Sequence, residues 1–131
     1  MISQRVELAP GHEAKANRTV LVVEDEVLVR LLIADKLRKA GYTVVEAVDA
    51  NEALDVLAHS SDVKLVLTDV QMAGSMDGIG LSHVVRSVYP AIKIVLTSGR
   101  TVVVDAGQHD GFFPKPCDFV KLVKHLETLL N

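Results

Sequence analysis

The sequence predicts a doubly wound α/β domain built on a five-stranded parallel sheet, and three observations predict it. Short apolar runs recur along the chain, and most are apolar throughout rather than alternating, as strands covered on both faces are. Amphipathic stretches of helical length separate them. The chain has 131 residues, enough for one domain with a single core.

The elements follow in order. Residues 1–18, MISQRVELAPGHEAKANR, are polar, mixed in charge and broken by Pro10 and Gly11, so a flexible tail is expected there, with the folded domain over 19–131. TVLVV, from Thr19, reads as a buried strand. VLVRLLIADKLRKA reads as a helix, stopped by Gly41 just past its end. YTVVEA is a second strand. Asp49 and Glu52 have capping-box spacing ahead of Ala53, Leu54 and Leu57, which predicts a second helix. KLVLTDV is a third strand, and GIGLSHVVRSVY a third helix halted by Pro90. AIKIVLTSG and a short GFFPK are the fourth and fifth strands, and DFVKLVKHLETLL is a closing amphipathic helix.

Composition narrows the function. The hydrophobic share is 49%, the charged share 24% and the net charge -3, an ordinary globular balance that argues against a nucleic-acid partner. One cysteine cannot form an internal disulfide and fits a reducing compartment. No stretch approaches the ~20 apolar residues of a membrane span, and the start lacks a signal peptide's apolar core. A cytoplasmic protein without membrane contact is expected.

In a doubly wound sheet the ligand crevice lies beyond the carboxyl ends of the strands. Here those ends carry Glu24 and Asp25, then Thr68 and Asp69, then Thr97 and Ser98, then Lys115. Crowded carboxylates repel unless a cation sits among them, and hard oxygen donors without histidine or thiolate favour Mg²⁺. A carboxylate beside Mg²⁺ can attack phosphorus and form an aspartyl phosphate, with a hydroxyl and an ammonium stabilising the transferring oxygens. Any one of these carboxylates alone reads as well as a solvated loop residue; their joint occurrence is what points to a site. The five histidines show no metal-ligand spacing, and His83 and His125 fall at surface or boundary positions of helices. Ser98 reads as a loop hydroxyl, and Cys117 as a residue without function.

Taken in order, VLVVEDE, LVLTDVQM, SMDGIGL, VLTSG and FFPKP resemble the receiver domain of two-component response regulators over residues 19–131. The resemblance implies a flavodoxin-like strand order 2-1-3-4-5. It implies Asp69 as phosphoacceptor, and Glu24, Asp25, Asp69 and the Gln71 carbonyl as Mg²⁺ ligands. Thr97 and Lys115 become the groups that stabilise the phosphoryl oxygens. Thr97 and Phe112 become a coupled switch, and the Lys115–Pro116 peptide is expected to be cis. The implied partners are a sensor histidine kinase or histidine phosphotransfer protein, which would meet the first helix, and a downstream protein without a readable identity. No further segment follows the closing helix, so a stand-alone receiver is expected, without substrate turnover beyond its own phosphoryl acceptance and release.

Three departures stand out. Met72 is followed by Ala73 where the family has proline, which predicts a freer loop. The loop QMAGSMDG is one residue longer than the commonest form. The stretch 99–110 is short, and Thr101, Val102, Val103, Val104 and Gly107 disfavour a helix, so a short or irregular fourth helix is expected there; the valine run suits either core packing or a partner surface. Two other readings stay open. One is a degenerate receiver that only binds a partner, against which the complete acidic, hydroxyl and lysine set speaks. The other is an aspartyl-phosphate phosphatase of the haloacid dehalogenase type, which calls for an aspartate where Gln71 stands.

Overall fold

The computed structural model describes residues 18–100 and 109–131. Strand β1 spans Thr19–Val23, helix α1 Val27–Lys39, β2 Thr43–Ala47, α2 Ala50–His59, β3 Val63–Asp69, α3 Gly78–Val88, β4 Lys93–Ser98, β5 Phe112–Pro114 and α4 Phe119–Leu130. The five strands form one parallel sheet in the order β2-β1-β3-β4-β5. Residues 1–17 of the expected tail and residues 101–108 of the stretch 99–110, where a short or irregular fourth helix is expected, lie outside the described residues.

Alternation along each strand divides the core in two. Leu21, Val23, Val66, Ile94 and Leu96 face one side, where α2 buries Ala53 and Leu57 and α3 buries Leu81 and Val85. Val20, Val22, Leu65, Leu67 and Val95 face the other, where α1 buries Ile33, Ala34 and Leu37 and α4 buries Leu122 and Leu126. Helices therefore cover both faces, which is why these strands carry no polar side. Each fully buried Leu or Ile contributes about 1.5–3 kcal/mol to this arrangement.

Element ends follow local chemistry. Helix α1 stops at Lys39, and Gly41 takes φ 100°, a left-handed conformation that suits glycine. The Asp49 side chain accepts from the Glu52 amide at 2.9 Å, as its spacing predicts, and the Glu52 carboxylate reaches back to the Val48 amide, also at 2.9 Å. Asp77 and Asp118 cap α3 and α4 in the same way. Strand β4 begins two residues later than the apolar run suggests, because the Ile92 amide closes a turn onto the Tyr89 carbonyl around Pro90. The Lys115–Pro116 peptide is cis.

Candidate functional site

The carboxyl ends of β1, β3, β4 and β5 meet at one edge of the sheet. Glu24 and Asp25 directly follow β1, and Asp69 is the last residue of β3. Register pairs Asp69 with Thr97 across β3 and β4, so their side chains share a face, and Thr97 pairs in turn with Phe113. Glu24, Asp69 and Thr97 are buried, while Asp25 is exposed at the rim. One carboxylate oxygen from each of Glu24, Asp25 and Asp69 lies within 4.8 Å of the others.

Lys115 enters this cluster from β5. Its Nζ donates to Glu24 Oε1 at 2.6 Å and lies 3.1 Å from Asp69 Oδ2. Burial pushes the Glu24 carboxyl above the ordinary glutamate range, even though bonds from Lys115 and the Glu26 amide pull the other way. Burial would lower the Lys115 ammonium, but its bonds to Glu24 and Asp69 outweigh that and hold it above the ordinary lysine range. The Lys115 charge is therefore held by its neighbours, while the Glu24 carboxyl is harder to ionise than a solvated one.

The sequence-expected residues divide as follows. Glu24, Asp25, Asp69 and Lys115 are brought together. Gln71 stands beside them, its amide donating to Asp69 Oδ1 at 3.4 Å. Thr97 is beside Asp69 in register. Phe112 pairs with Leu96 and is half-buried against the core on the opposite face of the sheet.

Several contributors carry no local sequence signal. Gly78 is pressed against the backbone of Asp69: a Cβ there would lie 2.8 Å from the Asp69 carbonyl carbon and 2.9 Å from Val70 Cα. Ser98 Oγ donates to Gln71 Oε1 at 2.7 Å. Arg30 on α1 donates to the Glu24 carbonyl at 3.0 Å while its Nε holds Glu46 Oε1 at 3.1 Å, which ties the end of β1 to β2. Ala73 donates its amide to Asp25 Oδ2 at 3.2 Å. A proline at that position would have no N–H to give, so the departure that predicts a freer loop supplies the loop with an anchor on the acidic cluster. Gly74 takes φ 108° in the same loop.

The donor set fits a hard divalent cation. The cluster offers carboxylate oxygens, and among the described residues neither thiolate nor imidazole belongs to it. A carboxylate, an ammonium and a hydroxyl around such a cation are the parts that phosphoryl transfer needs.

The family described as "Response regulator receiver domain" matches residues 20–127. The sensor kinase CckA of Brucella abortus is 35% identical over 127 residues, covering 91% of this chain and 13% of that protein. The transcriptional regulatory protein PdtaR of Mycobacterium tuberculosis is 37% identical over 125 residues, covering 91% of this chain and 60% of that protein. The chain thus spans less than two thirds of these relatives. Among solved structures, the response regulator protein TrrA of Thermotoga maritima in complex with Mg²⁺-BeF superposes with a TM-score of 0.79 at 26% identity, over 86% of this chain and 99% of that one. Among the described residues no helix is long and apolar enough to cross a membrane.

Proposed function

Because the chain belongs to the response regulator receiver domain family, we propose that it accepts a phosphoryl group on Asp69 in two-component signalling and that the modification alters a partner-binding surface. Receiver domains are signalling modules without separate substrate turnover; they bind Mg²⁺ at an acidic pocket and interact with histidine kinases and downstream effectors. The observation that carries the reading here is Lys115 Nζ seated between Glu24 and Asp69, with Asp25 completing the cluster.

In the proposed reaction an oxygen of Asp69 forms the bond to phosphorus. The bond from phosphorus to the donor's imidazole nitrogen breaks, and its electron pair stays on the ring. Glu24, Asp25, Asp69 and the Gln71 carbonyl would hold Mg²⁺, which when bound supplies positive charge to the phosphoryl oxygens. Lys115, already 3.1 Å from Asp69 Oδ2, meets one of those oxygens, and the Thr97 hydroxyl meets another. The Glu26 amide on Glu24 Oε2 and the Ala73 amide on Asp25 Oδ2 hold the two acidic side chains in orientation. Water reaching the phosphorus would return Asp69 to its carboxylate, so the protein also sets the lifetime of its own signal.

The surface beside the pocket suits a helical donor. Val27, Leu28, Leu31 and Leu32 on α1 are exposed, with Leu28 at 80%. Of these, Leu32 also lines an apolar groove of 300 Å³ with Ile33, Pro116, Cys117 and Phe119, and Lys115 stands at its wall. That supports docking of a histidine kinase or phosphotransfer protein, and so a cytoplasmic setting.

The test is incubation with a small phosphodonor and Mg²⁺. The expected result is a mass gain of one phosphoryl group that is lost in Asp69→Asn. An unmodified wild-type protein, or a gain that persists in Asp69→Asn, overturns the reading.

A further inference from the structure

Ser98 is buried at the carboxyl end of β4, directly after Thr97. Its hydroxyl accepts from the Arg100 amide at 3.0 Å. Its single proton has two acceptors in reach, Gln71 Oε1 at 2.7 Å and the Arg100 carbonyl at 2.9 Å. Gln71 is therefore held at two points: its backbone amide meets the Asp69 carboxylate, and its side-chain oxygen is engaged by Ser98. Gln71 and Arg100 both line an open cleft of 780 Å³ beside the loop 71–77. The bridge crosses 27 residues of sequence and joins the loops that follow β3 and β4.

A glutamine beside a phosphoryl group has a definite chemical capacity: its side-chain oxygen can accept from a water and orient it for attack. An oxygen held by a buried hydroxyl is fixed in one orientation and is not free to follow such a water. We propose that Ser98 is a positioning residue which restrains the Gln71 side chain and so lengthens the life of the aspartyl phosphate; this rests on the reading of Asp69 as phosphoacceptor. The step restrained is hydrolysis. The water oxygen bonds to phosphorus, the bond from phosphorus to the Asp69 oxygen breaks with its electron pair left on the carboxylate, and both water protons leave with the inorganic phosphate, one on the new hydroxyl and one on another phosphate oxygen. When the Ser98 proton turns to the Arg100 carbonyl, Gln71 is released and hydrolysis quickens. Any partner that moves Arg100 then acts on the lifetime through this one hydroxyl.

The test loads wild type, Ser98→Ala, Gln71→Met and the double variant with a small phosphodonor and Mg²⁺, removes the donor, and follows loss of the phosphoryl mass. Ser98→Ala is expected to decay faster by a factor on the order of 2 to 10, the scale of one neutral hydrogen bond. In the Gln71→Met background the Ser98→Ala change is expected to add no acceleration, because the group it releases is absent; Gln71→Met keeps the backbone carbonyl. Ser98→Thr, which retains the hydroxyl, is expected to bring the rate back toward wild type. Equal or slower decay in Ser98→Ala overturns the proposal, and so does acceleration that persists without Gln71. A wild-type protein that takes up no phosphoryl group overturns the phosphoacceptor reading itself, and the latch with it.

Discussion

Gly78, the first residue of α3, lies against the backbone of Asp69, and a Cβ at Gly78 would stand 2.8 Å from the Asp69 carbonyl carbon. The Gly78 amide also donates to the Val70 carbonyl at 3.0 Å. The start of α3 therefore sets where β3 ends. Gly78→Ala should push the two apart, lowering stability by about 1–3 kcal/mol as overpacking does. It should also slow phosphorylation by a small donor, since Asp69 moves with its backbone. Denaturant unfolding and the modification rate, measured on one sample, check this; a variant that loses stability yet modifies at the wild-type rate would separate the two roles.

Asp25 is exposed, and its carboxylate accepts from the Ala73 amide. An asparagine oxygen can accept that same bond. Asp25→Asn is thus expected to weaken Mg²⁺ binding, read by calorimetric titration, while metal-free stability stays level or rises as repulsion within the cluster falls. A clear drop in the metal-free Tm would count against the crowded-carboxylate argument.

Lys115 compensates two buried carboxylates, and only 19% of its side chain is open to solvent. Lys115→Met should destabilise the metal-free protein by about 3 kcal/mol, the low end of what breaking a buried pair costs. The same variant should gain more in Tm from added Mg²⁺ than wild type does, because a second cation then answers the uncompensated charge. Equal gains in both proteins would refute the idea that ammonium and metal serve the same carboxylates.

Thr97 and Phe112 occupy adjacent strand ends on opposite faces of the sheet, with Thr97 beside Asp69 and Phe112 beside Leu96. Movement of the hydroxyl toward a phosphoryl group is expected to shift the end of β4, and with it the Leu96 backbone that Phe112 pairs with, so that the half-buried ring repacks. Beryllofluoride with Mg²⁺ should therefore shift the Phe112 ring resonances in NMR. An unchanged ring environment on saturation would sink the coupling.

Burial in the groove beneath α1 pushes the Cys117 thiol above its ordinary value of 9.0, although Lys115 pulls it down. Only the thiolate is nucleophilic, so alkylation by iodoacetamide at pH 8 should be slower than for an unhindered thiol and should keep rising past pH 9.0. An inflection below that pH would show the thiol to be better solvated than the groove allows.

Much of the fold and the core of the site were legible from local pattern. Continuous apolar runs mark the strands, and strand ends in a doubly wound sheet converge, so the sequence alone places Glu24, Asp25, Asp69 and Lys115 together. What escaped was set by tertiary closure. Ser98 read as a loop hydroxyl because its partner Gln71 lies on another strand end. His125 read as a surface or boundary residue and is half-buried, but its partners were not readable: its Nε2 lies 2.6 Å from the Asp110 carbonyl and its ring meets Phe113 edge-on at 5.6 Å. Gly78 looked like a helix opening, and its need for a bare Cα comes only from the backbone of β3 beside it. Helix α1 carries apolar residues on two sides, and periodicity alone does not say which side is covered: Ile33 and Leu37 are buried, Leu28 and Leu31 are not.

The brevity of β5 has a bearing on how crowded copies of the protein behave. An outer strand offers unpaired backbone groups on which a foreign strand can build, the first step toward sheet-to-sheet aggregation. Here that outer strand has three residues, Phe112–Pro114, and the last has no N–H to offer. A strand approaching from another molecule finds too short a ladder to grip. The β5 edge is thereby protected from strand-on-strand pairing between copies.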